Sequence, residues 1–329
     1  MNSARVFAAF PDGAGTEQLA SAVDRLLEHQ RTAWPDLARG LKALDSIRHR
    51  TVTGRRYATL VQFNPIRITS TGAKVDPGSI ARRRCFLCVE NLPELQQGIL
   101  YRDEYLILCN PAPIFRGHFT ISHIEHRAQS IENALETLLS LARDLGPGCQ
   151  VFYNGPRCGA SAPDHLHFQA SPSGAIPLSA RPFLERHSNG RAVVQGTEVT
   201  LLEGIDRSVV AYSARSLGQA AQPLVRILET ARRVLASADE PPVNILVSWA
   251  DGIWQVIVVL RSKHRPDAYF LEGAGKLLVS PAAVDMGGLI ITPREEDFER
   301  MSAELIESVY REVSLEPGVA VRILEGLPC

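Results

Sequence analysis

The sequence predicts an α+β protein made of two related halves, and three features of its hydrophobic pattern carry that expectation. Residues 98–169 read in the order hairpin, helix, two further strands, with turn residues between the apolar runs. Residues 208–260 repeat that order more faintly, as strand, helix and hairpin. Residues 15–46 precede both with apolar residues at helical spacing. The expected organisation is an N-terminal helical segment over residues 1–50, a first half over 51–200 and a second, degenerate half over 201–329. A hydrophobic content of 45% in 329 residues supports cores of this size.

Taken in order, Leu19, Val23, Leu26 and Leu27, then Leu37, Leu41 and Leu44, line two helical stretches around a break near Pro35. Residues 57–64 form a strand, and a polar link over 65–79 leads to Cys85 and Cys88. Residues 99–101 and 105–110 are strands, followed by a turn at Pro111 and Pro113 and a returning strand over 118–122. Ile131, Ala134, Leu135, Leu138, Leu139, Leu141 and Leu145 give the next helix a broad apolar face, which Gly146 and Pro147 end. Strands over 150–153 and through His165 close the first half. In the second, 208–212 is a strand, 217–238 a helix, and 243–249 with 254–260 a hairpin through Asp251-Gly252. Residues 285–288 read as a tight turn and 295–313 as one amphipathic helix.

Composition removes several function classes. Lys and Arg number 35 against 36 Asp and Glu, a net charge of −1, so there is no basic field for a nucleic acid, and Arg82-Arg83-Arg84 is a local cluster. No apolar run approaches the roughly 18 residues of a spanning helix, and the start of the chain, with Asp12 and Glu17, lacks a signal pattern. A cytoplasmic protein with no membrane partner is expected. Cys85, Cys88, Cys109, Cys149, Cys158 and Cys329 do not resemble a disulfide framework, and only the first two are closely spaced.

The chemistry concentrates in Pro163-Asp164-His165-Leu166-His167-Phe168-Gln169. Side chains alternate along a strand, so His165, His167 and Gln169 are expected on one face. Three convergent polar groups are hard to bury unless they hold a metal or a ligand. Hydrogen-bonded histidines on a sheet face are the plainer alternative. Residues 154–161, ahead of this strand, form a glycine-interrupted turn able to bring backbone N–H groups to phosphate oxygens.

On these residues the chain resembles the histidine-triad superfamily in its H-x-H-x-Q branch, which holds galactose-1-phosphate uridylyltransferase, diadenosine tetraphosphate phosphorylase and the GDP-hexose phosphorylases. The form H-L-H-F-Q followed by Ala170 is most similar to the last group. One departure stands out, because the branch reads G-x-S-x-P-H-x-H-x-Q and here Asp164 separates Pro163 from His165, which alters the turn at Ser161. The second half carries no His-x-His, as in the larger transferases of the superfamily, where one half is active and one supporting.

The resemblance implies a set of roles. Cys85 and Cys88 have the spacing of a zinc knuckle, although the pair alone also fits a redox pair or two unrelated core cysteines. The stretch Gly117 to His126 resembles the superfamily's G-H-x-L-x-I-P-K-x-H, whose last histidine binds zinc, so Cys85, Cys88, His126 and His165 are the implied Zn2+ ligands. His118 and His123 are expected as hydrogen-bonded strand-end histidines. His167 is the implied nucleophile, forming a nucleotidyl-histidine, and its second ring nitrogen should donate to a fixed carbonyl. Gln169 binds a phosphate oxygen without transferring a proton, which favours transfer over hydrolysis.

Asn154, Gly155, Gly159 and Ser161 would cradle the α-phosphate. Asn64 and Arg67 are candidates for base or phosphate contacts, and Arg261, Lys263, His264 and Arg265 for a second phosphate. The reaction implied is phosphorolysis or nucleotidyl transfer on a nucleoside diphosphate sugar, with phosphate or a sugar phosphate as acceptor. Cleavage of a dinucleoside polyphosphate is the enzymatic alternative, and a zinc-stabilised nucleotide-binding protein without turnover the non-enzymatic one. A zinc-ribbon nucleic-acid module is disfavoured by the balanced charge. A homodimer is compatible with the sequence, which does not fix the oligomeric state.

Overall fold

The computed structural model describes residues 5–13 and 16–328, so Cys329 and the residue-15 start of the expected first helix lie outside the described residues. In chain order the strands are β1 (Val6–Phe10), β2 (Arg48–Thr53), β3 (Ala58–Phe63), β4 (Gly98–Tyr101), β5 (Tyr105–Cys109), β6 (Phe119–His123), β7 (Cys149–Asn154), β8 (His167–Pro172), β9 (Ser188–Val194), β10 (Thr197–Leu202), β11 (Ser208–Ala214), β12 (Val243–Ala250), β13 (Ile253–Leu260) and β14 (Leu289–Thr292). Among the described residues, eleven of them form one sheet in the order β1-β4-β5-β6-β8-β7-β12-β13-β11-β10-β9. The other three form a smaller sheet, β14-β3-β2.

The large sheet is two copies of one topology. In each, a three-strand meander (β4-β5-β6 or β9-β10-β11) is followed by a helix, Leu135–Leu145 or Leu217–Val234. A hairpin then returns with its second strand, β8 or β13, beside the meander. This is the expected α+β fold of two histidine-triad-like halves. The repeat is fuller than the sequence pattern, because β9 and β10 supply the meander strands missing from the faint copy and begin ahead of residue 201. The copies are joined edge to edge rather than standing as separate sheets. Strands β7 and β12 pair antiparallel from Gln150↔Ser248 to Asn154↔Asn244.

Alternation along the strands separates two cores. Val151, Tyr153, Ile245, Val247 and Phe168 face a helical layer that includes Thr16–Ala33, Leu135–Leu145 and Leu217–Val234. Phe152, Leu246, Ile257 and Val259 face the other way, against Val61, Ile290, Phe298, Ile306 and Tyr310 of the small sheet and its helices. His167 and Gln169 are out of phase with Phe168 and so lie on this second face.

Several elements differ from the sequence pattern. The N-terminal segment holds Thr16–Ala33 and Pro35–Ala43 as helices, but β1 is a strand parallel to β4. The expected helix over 295–313 is two helices, Glu295–Arg300 and Ala303–Val313, because Met301 is extended and the Ser302 hydroxyl caps the second by accepting from Leu305 N at 3.3 Å. The turn expected at 285–288 leads into β14, which pairs parallel with β3 across more than two hundred residues of chain. No helix among the described residues is long and apolar enough to cross a membrane.

Candidate active site

Strands β7 and β8 place the site by separating. Their last ladder pair is Phe152↔Gln169, and beyond it Asn154 and His167 diverge. Gln129, from the loop after β6, spans the opening. Its Oε1 accepts from His167 N at 2.8 Å, and its Nε2 donates to Asn154 O at 2.8 Å and His167 O at 3.0 Å. A buried carboxamide thus takes over the role of ladder bonds. No sequence motif marks Gln129.

The His167 ring is buried, with Nδ1 2.8 Å from His165 O. A carbonyl only accepts, so Nδ1 carries the proton and Nε2 is the bare nitrogen. Burial pulls the ring's pKa down to about 4, against the carbonyl bond that favours the charged form. The ring is therefore neutral at physiological pH, as a nucleophile must be.

Gln169 is oriented by a histidine. Ile114 N donates to His118 Nδ1 at 3.2 Å, so the proton of His118 sits on Nε2, 2.9 Å from Gln169 Oε1. Burial first, and the Arg67 charge second, lower the pKa of His118 to about 3 and keep it neutral. The carboxamide oxygen of Gln169 is thereby held back and its NH2 turned to the cavity. His118 is a strand-end histidine, as expected, and one that points the neighbouring donor.

Asn154 Oδ1 accepts from Asn244 Nδ2 at 2.9 Å and from Ala283 N at 2.8 Å, which leaves Nδ2 as the group on the cavity wall. Gly159 has φ +89°, and a Cβ there would stand 2.6 Å from the Ala282 Cα, so only glycine fits. The N–H groups of Gly159, Ala160 and Ser161 make no backbone hydrogen bond among the described residues. Gly155 serves differently, because its N–H is spent on Val243 O at 3.0 Å and a Cβ would meet that oxygen at 2.8 Å.

These groups share a cavity of about 780 Å³ lined by His167, Gln169, Asn154, Gly159, Ser161 and Arg67. Arg67 donates to Ala112 O at 2.7 Å. Six other expected residues do not line it, among them Arg261, which is fully buried, and His264, which is half-buried. Asn64 is fully buried, donating to Gln62 Oε1 and Pro113 O. Lys263 pairs with Asp267 at 2.6 Å and Glu312 at 2.5 Å on the outside. Arg265 sits behind the wall, bonded to Ser280 Oγ at 2.9 Å and Ala73 O at 2.8 Å. Gly155 is the packing glycine just described. Conversely, Arg83, Phe86, Ser280 and Asp285 line the cavity without having been singled out as contacts. The additional residue Asp164 forms an ion pair with Arg83, tying the histidine turn to the cysteine loop.

His165 departs from the alternation, because β8 begins at His167 and His165 lies in the turn before it, with its N bonded to Ala162 O at 3.2 Å. Its ring turns to the cysteines while His167 faces the cavity. The ligand atoms of Cys85, Cys88, His126 and His165 all lie within 4.8 Å of one another. Cys85 Sγ is 3.2 Å from His165 Nδ1, and Cys88 Sγ is 3.2 Å from His126 Nδ1. In a tetrahedron with bonds of about 2.0–2.3 Å, ligands stand about 3.3–3.8 Å apart, so the donor set fits zinc. His165 Nε2 is 2.7 Å from His123 O, so Nδ1 is the bare nitrogen facing the sulfurs. Burial opposes both thiolates. At Cys85 burial is outweighed only by the His165 ring together with the backbone N–H groups of Leu87 and Cys88, which lower that thiol's pKa, whereas burial and Cys85 together push Cys88 up. A cation relieves that conflict.

Residues 26–172 match a family described as a domain of unknown function (DUF4922). Residues 185–318 match the GDPGP1-like C-terminal domain. No curated protein sequence matches the chain. Among solved structures, the yeast Ap4A phosphorylase Apa2 in complex with Ap4A superposes with a TM-score of 0.61 at 17% identity, covering 91% of this chain and 97% of that one. The same enzyme in complex with AMP gives 0.58 at 17% identity over 92% and 97%. The fold is shared along nearly the whole chain.

Proposed function

We propose that this protein is a phosphorylase-type nucleotidyltransferase acting on a nucleoside diphosphate sugar through a nucleotidyl-His167 intermediate. One observation carries the reading: the His165 carbonyl holds the Nδ1 proton of a neutral His167, and the bare Nε2 shares a cavity with several hydrogen-bond donors. Nε2 attacks the α-phosphorus, an N–P bond forms, and the bond to the bridging oxygen breaks, so the sugar phosphate leaves with the electron pair. Inorganic phosphate then attacks the same phosphorus, releasing a nucleoside diphosphate and the free imidazole. Asn154 Nδ2, Gln169 Nε2, Arg67 and the N–H groups of 159–161 are the donors for the charge that develops. Cys85, Cys88, His126 and His165 would hold zinc, which supplies a rigid anchor for the His165 turn.

A second reading, a dinucleoside polyphosphate as donor, is supported by the fold shared with yeast Ap4A phosphorylase and by Arg67 and Arg83 on the cavity wall. Intact-protein mass after incubation with GDP-, ADP- and UDP-sugars and with diadenosine tetraphosphate, without phosphate, separates the readings. An adduct of one nucleoside monophosphate, discharged by phosphate, is expected from the true donor. No adduct and no phosphate-dependent product from any donor would leave a nucleotide-binding protein without turnover.

The His118 clamp makes a narrower prediction. His118→Phe removes the donor that orients Gln169, and kcat/KM should fall about 10- to 100-fold. In a Gln169→Ala background the same change should cost little more, so the two losses are non-additive. Additive losses in steady-state kinetics would show that His118 does not act through Gln169.

A further inference from the structure

Arg261 is the bulkiest fully buried side chain among the described residues, and no carboxylate is bonded to it. Its donors go to neutral oxygens: Nε to Val313 O at 3.0 Å, Nη1 to Asn244 Oδ1 at 2.6 Å and Pro281 O at 2.9 Å, and Nη2 to Lys263 O at 3.1 Å and His264 O at 3.2 Å. A buried guanidinium that is hydrogen-bonded to no carboxylate, with Asp285 and Cys158 attracting it only through space, is costly, and an apolar side chain of similar bulk would fill the space. The shortest of these bonds leads toward the cavity.

The orientation of each amide along that route follows from the first group, because arginine can only donate. Asn244 must turn its oxygen to Arg261, so its nitrogen faces the other way, donating to Asn154 Oδ1 at 2.9 Å and Cys158 O at 2.7 Å. Asn154 must then turn its oxygen to Asn244, and Ala283 N, 2.8 Å away, reinforces the same orientation. What remains for the cavity is Asn154 Nδ2, a donor. Amide dipoles aligned in this way carry the influence of a buried positive charge to the wall. Asp285 on the same wall does not interrupt the route, since its oxygens accept from Ala282 N at 3.0 Å and Ile291 N at 2.9 Å.

We propose that Arg261, Asn244 and Asn154 form a polarity relay in which a guanidinium of the second half fixes the donor face of Asn154 toward an anionic group in the first. Arg261 and Asn244 are then positioning residues for the α-phosphate. The relay would give the half without the His-x-His a part in the site, across the junction of β7 and β12 where Asn154 and Asn244 are register partners. It rests on reading the cavity as a phosphate site.

The test compares a nucleoside monophosphate with its nucleoside, by ligand-observed NMR titration of the full chain, which reaches millimolar dissociation constants. GMP with guanosine, AMP with adenosine and UMP with uridine are the probes. In Asn244→Asp the new carboxylate still accepts from Arg261 but can no longer donate to Asn154, so the cavity donor is lost. Monophosphate affinity should fall about tenfold or more while the nucleoside changes by less than about twofold. Arg261→Met removes the group that sets both amide orientations while leaving Asn154 itself in place, and it should give the same split, which keeps the test decisive should Asn244→Asp not fold. Equal weakening of nucleotide and nucleoside, or unchanged monophosphate affinity in a folded variant, overturns the relay while leaving the phosphate site standing. A wild-type protein that binds none of the three monophosphates overturns the phosphate reading and the relay with it.

Discussion

Replacing His167 with alanine is expected to lower turnover by about 10⁴-fold or more, while nucleotide binding stays within a few-fold of the parent. Among the described residues that line the cavity His167 is the one imidazole, and its bare nitrogen is fixed by the bond at the other, so no second imidazole can take over the proposed attack. The donors proposed to bind phosphate belong to other residues and remain. Steady-state rates on the donor identified by the adduct experiment, beside equilibrium titration of the corresponding monophosphate, check both halves. Retention of more than about a tenth of the activity would exclude a nucleotidyl-His167 route, because a covalent step cannot proceed without its nucleophile.

The second large effect concerns the metal. Cys85→Ala is expected to remove close to one equivalent of zinc per chain and to lower the melting temperature by about 10 °C, since zinc binding is coupled to folding. It should also lower activity, because the metal would anchor the turn whose His165 carbonyl holds the Nδ1 proton of His167. Elemental analysis of the purified chain and thermal unfolding of both proteins measure it. Less than about a tenth of an equivalent of any transition metal in the parent, with an unchanged melting temperature in the variant, would mean that the four side chains pack without a metal.

How far the sequence anticipated this arrangement depends on the range of each interaction. The helix Leu135–Leu145 was legible because its apolar face recurs at helical spacing within eleven residues. His167 and Gln169 were legible because strand alternation puts both on one face, and the structure keeps them there. The same rule misplaced His165, since alternation holds only inside a strand and Asp164 lengthens the turn before β8. The helix expected over 295–313 failed at Ser302, where a side-chain cap competes with helical continuation. Lys263 and Arg265 were proposed for their charge, and the structure commits both to local partners outside the cavity.

By itself the sequence determined what local periodicity and close spacing can encode: the α+β class, the order of strands and helices in the first half and, apart from β9 and β10, in the second, the closely spaced cysteine pair, and the histidine and glutamine beside a glycine turn. The tertiary structure alone decided that the halves share one sheet through β7 and β12, that β14 reaches β3, and that Gln129, His118, Asn244 and Arg261 orient the groups at the cavity. The physical reason is common to these cases. Each is a hydrogen bond or strand pairing between segments far apart in the chain, and a buried polar group takes whichever partner the fold brings to it, leaving no periodic trace in the sequence.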